Sequence, residues 1–142
     1  MTRCAAPALL VPVALLATAF ALGGCASASA PACGPGRQAM SSELLYFGTA
    51  MPQGSVSPAQ WQAFLDAEVT PRFPAGFSAW PAAGQWRGAD RALVREPSFV
   101  LNVVHAPSAA DDAAIDALVQ AYKRRFRQES VLRVTGAACV AF

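Results

Sequence analysis

The chain has 142 residues, 54% of them hydrophobic and 14% charged, and a formal net charge of +2. That balance gives no long-range pull toward nucleic acid or anionic lipid, so nucleic acid is not expected as a partner. With one histidine and four cysteines, the sequence is also poorly supplied for a transition-metal centre, and no metal or cofactor is expected.

The first segment is read as an export signal. Arg3 supplies a lone positive charge, Ala5 to Leu22 carries no charge, and the run ends in Leu22-Gly23-Gly24-Cys25. A charged start, an apolar core and small residues before a cut mark a secretory signal peptide over 1–24. A retained membrane helix is the rival reading. Against it, the run is near the lower limit for spanning and is interrupted by Pro7 and Pro12. Leu22-Gly23-Gly24-Cys25 has the form of a bacterial lipobox, with small glycines at the cut and a thiol at Cys25 to carry lipid. Several acyl chains on one terminus give stable anchoring, at about 0.8 kcal/mol per buried methylene. Ala26 and Ser27 follow, with no aspartate to hold the protein back. The sorting rules of Gram-negative lipoproteins then place it on the periplasmic side of the outer membrane.

From Cys25 to Met40 the chain is rich in Ala, Ser, Pro and Gly, the composition of a flexible tether. Residues 41–142 remain for one modest domain. With Cys4 removed and Cys25 lipidated, Cys33 and Cys139 are left as a pair. In an oxidising compartment they are expected to form a disulfide, the alternative being two buried thiols.

Glu43 to Thr49 is apolar and aromatic and is closed by Pro52-Gln53-Gly54, so it reads as a strand. Ser57, Pro58 and Gln60 form a helix start with a capping box, and Trp61, Phe64, Leu65 and Val69 recur on one helical face. Pro71 ends the helix near Thr70. Phe77 to Arg87 is extended, with a turn at Gly88-Ala89-Asp90. Ala92-Leu93-Val94 and Ser98 to His105 form the returning strand, and Glu96-Pro97 between them predicts a bulge or an edge position, because proline cannot donate to a ladder. Ser108 caps a second helix with Asp111 and Asp112 in its first turn, and Ile115, Leu118, Val119, Tyr122 and Phe126 form its apolar stripe. Val131 to Val140 is the last strand.

The order β-α-β-β-α-β predicts an α+β, ferredoxin-like two-layer sandwich, with two helices on one face of a four-stranded antiparallel sheet. The other face would be open. Phe99 to Val104 is apolar at nearly every position, which usually means cover on both sides. A second copy, a small ligand or the tether over that face all fit, as does shielding by neighbouring side chains.

Five blocks now resemble a known family: Leu45-Tyr46-Phe47-Gly48, Val69-Thr70-Pro71-Arg72-Phe73-Pro74, Gly84-Gln85-Trp86-Arg87, Arg95-Glu96-Pro97-Ser98 and Gln128-Glu129-Ser130-Val131-Leu132-Arg133-Val134. Together they look like DUF3574, small exported bacterial proteins, often lipoproteins, of unknown function. The resemblance covers Met40 to Phe142 and implies location and domain extent, with no catalytic residues to carry over.

Chemistry-bearing residues are few. His105, at a strand end, is the one candidate general base, or a residue bonded to backbone. Gln85, Trp86 and Arg87, with Tyr46, are candidate ligand contacts; the plainer reading stacks Arg87 over Trp86. Arg72 is expected to pair with Glu68 or Glu96. Lys123, Arg124, Arg125 and Arg127 suit a helix C-terminus, with Asp116 and Gln120 as partners one turn away. The leading expectation is a non-enzymatic, membrane-tethered binding domain. The alternative is a small enzyme of the dimeric α+β-barrel kind, with His105, Arg87 and Tyr46 on the open sheet face.

Overall fold

The computed structural model describes residues 33–87 and 91–142. The signal segment, Cys25, most of the tether, the Gly88-Ala89-Asp90 turn and the side chain of Trp86 lie outside the described residues. No helix among those described is long and apolar enough to cross a membrane.

The fold is α+β. Its four-stranded sheet consists of β1 (Gln38–Gly48), β4 (Phe77–Arg87), β5 (Leu93–His105) and β6 (Leu132–Val140), in the spatial order β4-β5-β1-β6. Every neighbouring pair is antiparallel. A two-stranded hairpin, β2 (Ala50–Met51) with β3 (Gly54–Ser55), follows β1 directly. The helices are α1 (Pro58–Phe64), continued by a π-turn over Leu65–Val69, and α2 (Ala109–Phe126).

The helix starts follow the sequence. The Ser57 hydroxyl accepts from the Gln60 amide at 3.2 Å, and the Gln60 side chain accepts from the Ser57 amide at 2.9 Å. Two orphan donors of the first turn are thereby satisfied. At α2 the Ser108 hydroxyl accepts from the Asp111 amide and donates to its carboxylate at 2.6 Å. Arg127 ends α2 in the left-handed region, with φ 54°. Arg72 pairs with Glu68 at 2.7 Å and also reaches the Glu68 carbonyl, which closes the turn after the π-segment.

Alternation along the strands sorts the side chains between the two faces. Leu45, Phe47, Phe99, Leu101 and Val103 enter the core, where both helices meet them. Phe47 is the hub, with ring centroids 5.1 Å from Trp61, 6.1 Å from Phe64 and 4.6 Å from Tyr122. Trp61 stacks on Phe99 at 4.8 Å and 3°. The Tyr122 hydroxyl, buried on α2, donates to the Gly48 carbonyl at 2.8 Å.

Of the apolar run in β5, then, Leu101 and Val103 face the helices. Val100 and Val104 face the other side of the sheet, in register with Tyr46 and Ser42 of β1. Trp80, Val100, Tyr46 and Leu132 form one cross-strand row on that open face, and Trp80 and Leu132 are 42% and 60% exposed.

Two expectations about strands need correcting. β1 begins at Gln38 rather than Glu43, because the polar segment Gln38–Ser42 pairs with β6 along its whole length and its last two residues also pair with β5. β5 is one continuous strand, and its pairing with β4 runs through Pro97 opposite Ala83 without a bulge. Pro97 is accommodated because β1 ends at Gly48, opposite Ser98. The proline therefore sits where β5 has lost its β1 neighbour, the edge position its missing N–H requires. The Thr49 hydroxyl takes up the Pro97 carbonyl there at 2.8 Å.

A disulfide joins Cys33 to Cys139, with Cα atoms 5.6 Å apart. Gly36, at φ 72°, makes the turn that brings Cys33 back alongside β6. The turn needs a residue at home in the left-handed region, which glycine enters without steric cost.

Candidate functional site

The two ends of the sheet carry different chemistry. At the disulfide end, on the helix side, lies an ion-pair network. Arg133 of β6 donates from Nε to Glu43 Oε2 and from Nη2 to Glu43 Oε1, both at 2.8 Å. The same guanidinium reaches Asp112 and Asp116 of α2, each at 2.9 Å. Thr135 adds a third hydrogen bond to Glu43, also at 2.8 Å. Burial by itself pushes the Glu43 carboxyl upward, but the hydrogen bonds from Arg133 and Thr135 outweigh it and hold the group below its ordinary range. The same bonds raise Arg133. Asp116 thus partners a strand residue rather than a cation one turn along its own helix.

His105 belongs to this network. Its ring is buried, its Nδ1 lies 2.7 Å from the Ala106 carbonyl and its Nε2 3.8 Å from Glu43 Oε1. Nε2 has no hydrogen-bond partner. Ligand atoms of Glu43, His105 and Asp112 lie within 4.8 Å of one another, so the trio has the donor types and spacing of a metal site. However, the Arg133 cation already bonds both carboxylates, and a metal ion placed there would face a fixed positive charge. The arrangement works as an ion-pair lock between β1, β6 and α2.

At the opposite end lies a cavity of about 700 Å³, within the size range of small-molecule sites. Its walls are the end of β1 (Tyr46, Gly48), the hairpin (Ala50 to Pro52), the outer parts of β4 and β5 (Gly84, Gln85, Glu96, Ser98) and the turn after α2 (Arg127 to Ser130, with Leu132). Gln128 holds this wall together, its Nε2 donating to the Ala50 carbonyl of the hairpin and to the Phe126 carbonyl. Glu96 lies against the bare backbone of Gly48, where a Cβ would come within 2.7 Å of Glu96 Oε1. A side chain at Gly48 would displace that carboxyl. Burial pushes Glu96 above its ordinary carboxylate range.

Two of the residues singled out from sequence, Tyr46 and Gln85, line this cavity. Gln85 is held by its cross-strand partner Arg95, whose Nε donates to Gln85 Oε1 at 2.8 Å. Arg87 turns instead to the Arg91 carbonyl at 3.2 Å and is not part of the wall. His105 is on the other face, at the other end. The constellation His105, Arg87 and Tyr46 on the open sheet face is therefore not assembled: residues of odd number in β5 point to the helices, while Tyr46 points away from them.

Sequence reasoning missed Glu96, Ser98, Arg127 and the Gln128-Glu129-Ser130 turn as site residues. Four of the five blocks that carry the family resemblance converge on this one cavity, which was the available signal.

A family model, "Protein of unknown function (DUF3574)", matches residues 42–142. The chain belongs to the DUF3574 family. None of the curated proteins compared with it matches. Among solved structures, this DUF3574 chain is similar to a phage SAM lyase in complex with S-methyl-5'-thioadenosine, with TM-score 0.54 and 15% identity over 79% of this chain and 95% of that one. It is also similar to CutA from Synechococcus elongatus PCC7942, with TM-score 0.52 and 16% identity over 74% and 83% of the two chains. At such identities the likeness is one of fold.

Proposed function

We propose that this DUF3574 protein is an exported lipoprotein whose ferredoxin-like β-α-β-β-α-β domain binds a small polar ligand without transforming it. The observation that carries the reading is the cavity of about 700 Å³ at the free end of the sheet, where Tyr46, Gln85, Glu96 and Gln128 converge. The strand order and the packing of both helices against Phe47 support the ferredoxin-like assignment. The polarity of the domain supports the tethered arrangement. The disulfide fixes the tether beside the start of β1, whereas the cavity lies at its end, Gly48. At about 3.4 Å per strand residue the two are roughly 30 Å apart, so the cavity lies at the end of the sheet remote from the point of attachment.

Two measurements test the two halves of this reading. NMR titration of the full-length protein with sets of small polar metabolites should give saturable shifts at the amides of Gly48, Ser98 and Gln128. No saturable shift at those positions across the sets would remove the ligand-binding half. Cys25→Ser should abolish lipid labelling and release the protein from the outer-membrane fraction, and unchanged membrane association would remove the anchor.

A further inference from the structure

We propose that the cavity takes a small organic cation, an amine, whose ammonium group sits between Glu96 and Gln128. This rests on the reading of the cavity as a binding site and names its ligand class. Gly48 is the key to the geometry. The point where its Cβ would stand is 2.7 Å from Glu96 Oε1 and 3.3 Å from Gln128 Oε1. The two acceptor oxygens are therefore no more than about 6 Å apart, and a small adjustment of either flexible side chain brings them within the roughly 5.6 Å that one nitrogen donating to both at about 2.8 Å can span.

The orientation of Gln128 is set by its other end. Its Nε2 donates to two carbonyls, Ala50 and Phe126, so the amide oxygen is the atom turned toward Glu96. The Glu96 carboxyl is partly buried and, among the described residues, no hydrogen bond to it moderates the cost of that burial. Two convergent acceptors facing a cavity call for a group with several donors. An ammonium supplies three N–H groups and a positive charge, and the charge would stabilise the desolvated carboxylate.

A hard metal ion fits less well, because calcium takes six to eight oxygen ligands and two side-chain acceptors fall far short. The remaining wall suits carbon. Tyr46 and Leu132 line it from the open face of the sheet, offering apolar surface to the ligand's organic part. Arg127 also lines the cavity and disfavours a second positive charge on the same molecule. The class is thus a monoamine, with any anionic group directed toward Arg127.

Calorimetric and NMR titrations of the full-length protein with ethanolamine and phenethylamine, each beside its N-acetyl derivative, separate the possibilities. The free amines should bind saturably, with shifts at Gly48 and Gln128, and the acetylated forms at least tenfold more weakly. Glu96→Gln, which keeps the shape and removes the charge, should weaken the amines by a similar factor and leave the acetylated forms unchanged. If the acetylated and free forms bind alike at those resonances, the cation assignment is overturned while the cavity remains a ligand site. If no probe of either kind shifts Gly48 or Gln128, while other polar metabolites do, the amine class is likewise overturned. Silence from every compound overturns the site itself.

Discussion

Glu43→Ala should destabilise the domain by about 3–5 kcal/mol at neutral pH, the cost typical of removing one partner from a buried ion pair. The Glu43 side chain has no solvent exposure, and its two oxygens accept three hydrogen bonds from Arg133 and Thr135. Truncation leaves Thr135 without its acceptor, and Arg133 keeps only Asp112 and Asp116, whose side chains are 59% and 72% exposed. Those outer pairs are screened by water, so Asp116→Ala should cost less than about 1 kcal/mol and serves as the control. Urea denaturation decides the matter. A Glu43→Ala midpoint equal to that of Asp116→Ala would mean that the buried pair contributes nothing beyond its exposed neighbours.

The same residue gives a pH signature whose sign is fixed. Folding holds Glu43 below its ordinary carboxylate range. Its stabilisation is therefore fully present above the unfolded value, near 4.3 to 4.5, and is lost as pH falls through the folded value. Glu96 has the opposite sign. Its folded value is raised, so its contribution is present at low pH and is lost as pH rises through that value. The wild-type protein should lose stability below about pH 4.5 more steeply than Glu43→Ala does.

The helices were the most legible part of the sequence, because their starts are written in side-chain chemistry. Ser57 with Gln60, and Ser108 with Asp111, carry hydrogen bonds that spacing alone anticipates, and Pro58 fits the first turn because its missing N–H would have no partner there. The length of β1 was not legible. Gln38 to Ser42 pairs because β6 and β5 are there to receive it, and no local pattern announces that. The face of each β5 residue was hidden for a related reason. Val100 and Leu101 are both buried and apolar, and only the register against Tyr46 and Leu45 separates them. The cavity was half legible. Gln85 stands out through its place beside Trp86 and Arg87 near a hairpin tip, and Tyr46 as a polar aromatic on the first strand. Glu96 looked like a charge beside a proline and an interruption in a strand. Its significance depends on Gly48 and Gln128, which are brought to it across 48 and 32 residues of chain by the sheet and by the turn after α2. Arg133, central to the ion-pair lock, sat in a recognisable block but gave no sign that its partner was a buried glutamate on another strand.

Breaking the Cys33–Cys139 disulfide should have an effect of similar size by a different route. The bond links positions 106 residues apart, and the chain-entropy account assigns a loop of that length about 4–5 kcal/mol, through restriction of the unfolded chain. Little of the folded structure should depend on the bond, since β1 and β6 are also joined by pairing over nine residues from Gln38 to Tyr46. The paired double substitution of Cys33 and Cys139 by Ser should therefore lower the denaturation midpoint steeply while leaving the cavity at the far end of the sheet, and its amine affinity, unchanged. Reductant added to the wild-type protein should reproduce the loss, and added to the double variant should do nothing. Equal midpoints for the oxidised wild type and the double variant would show that the reduced unfolded chain is already as restricted as the bridged one, which would remove the entropic argument. A loss of amine affinity with the loss of the bond would instead show that the constraint between Cys33 and β6 reaches the Gly48 end of β1, making the two ends of the sheet a coupled unit.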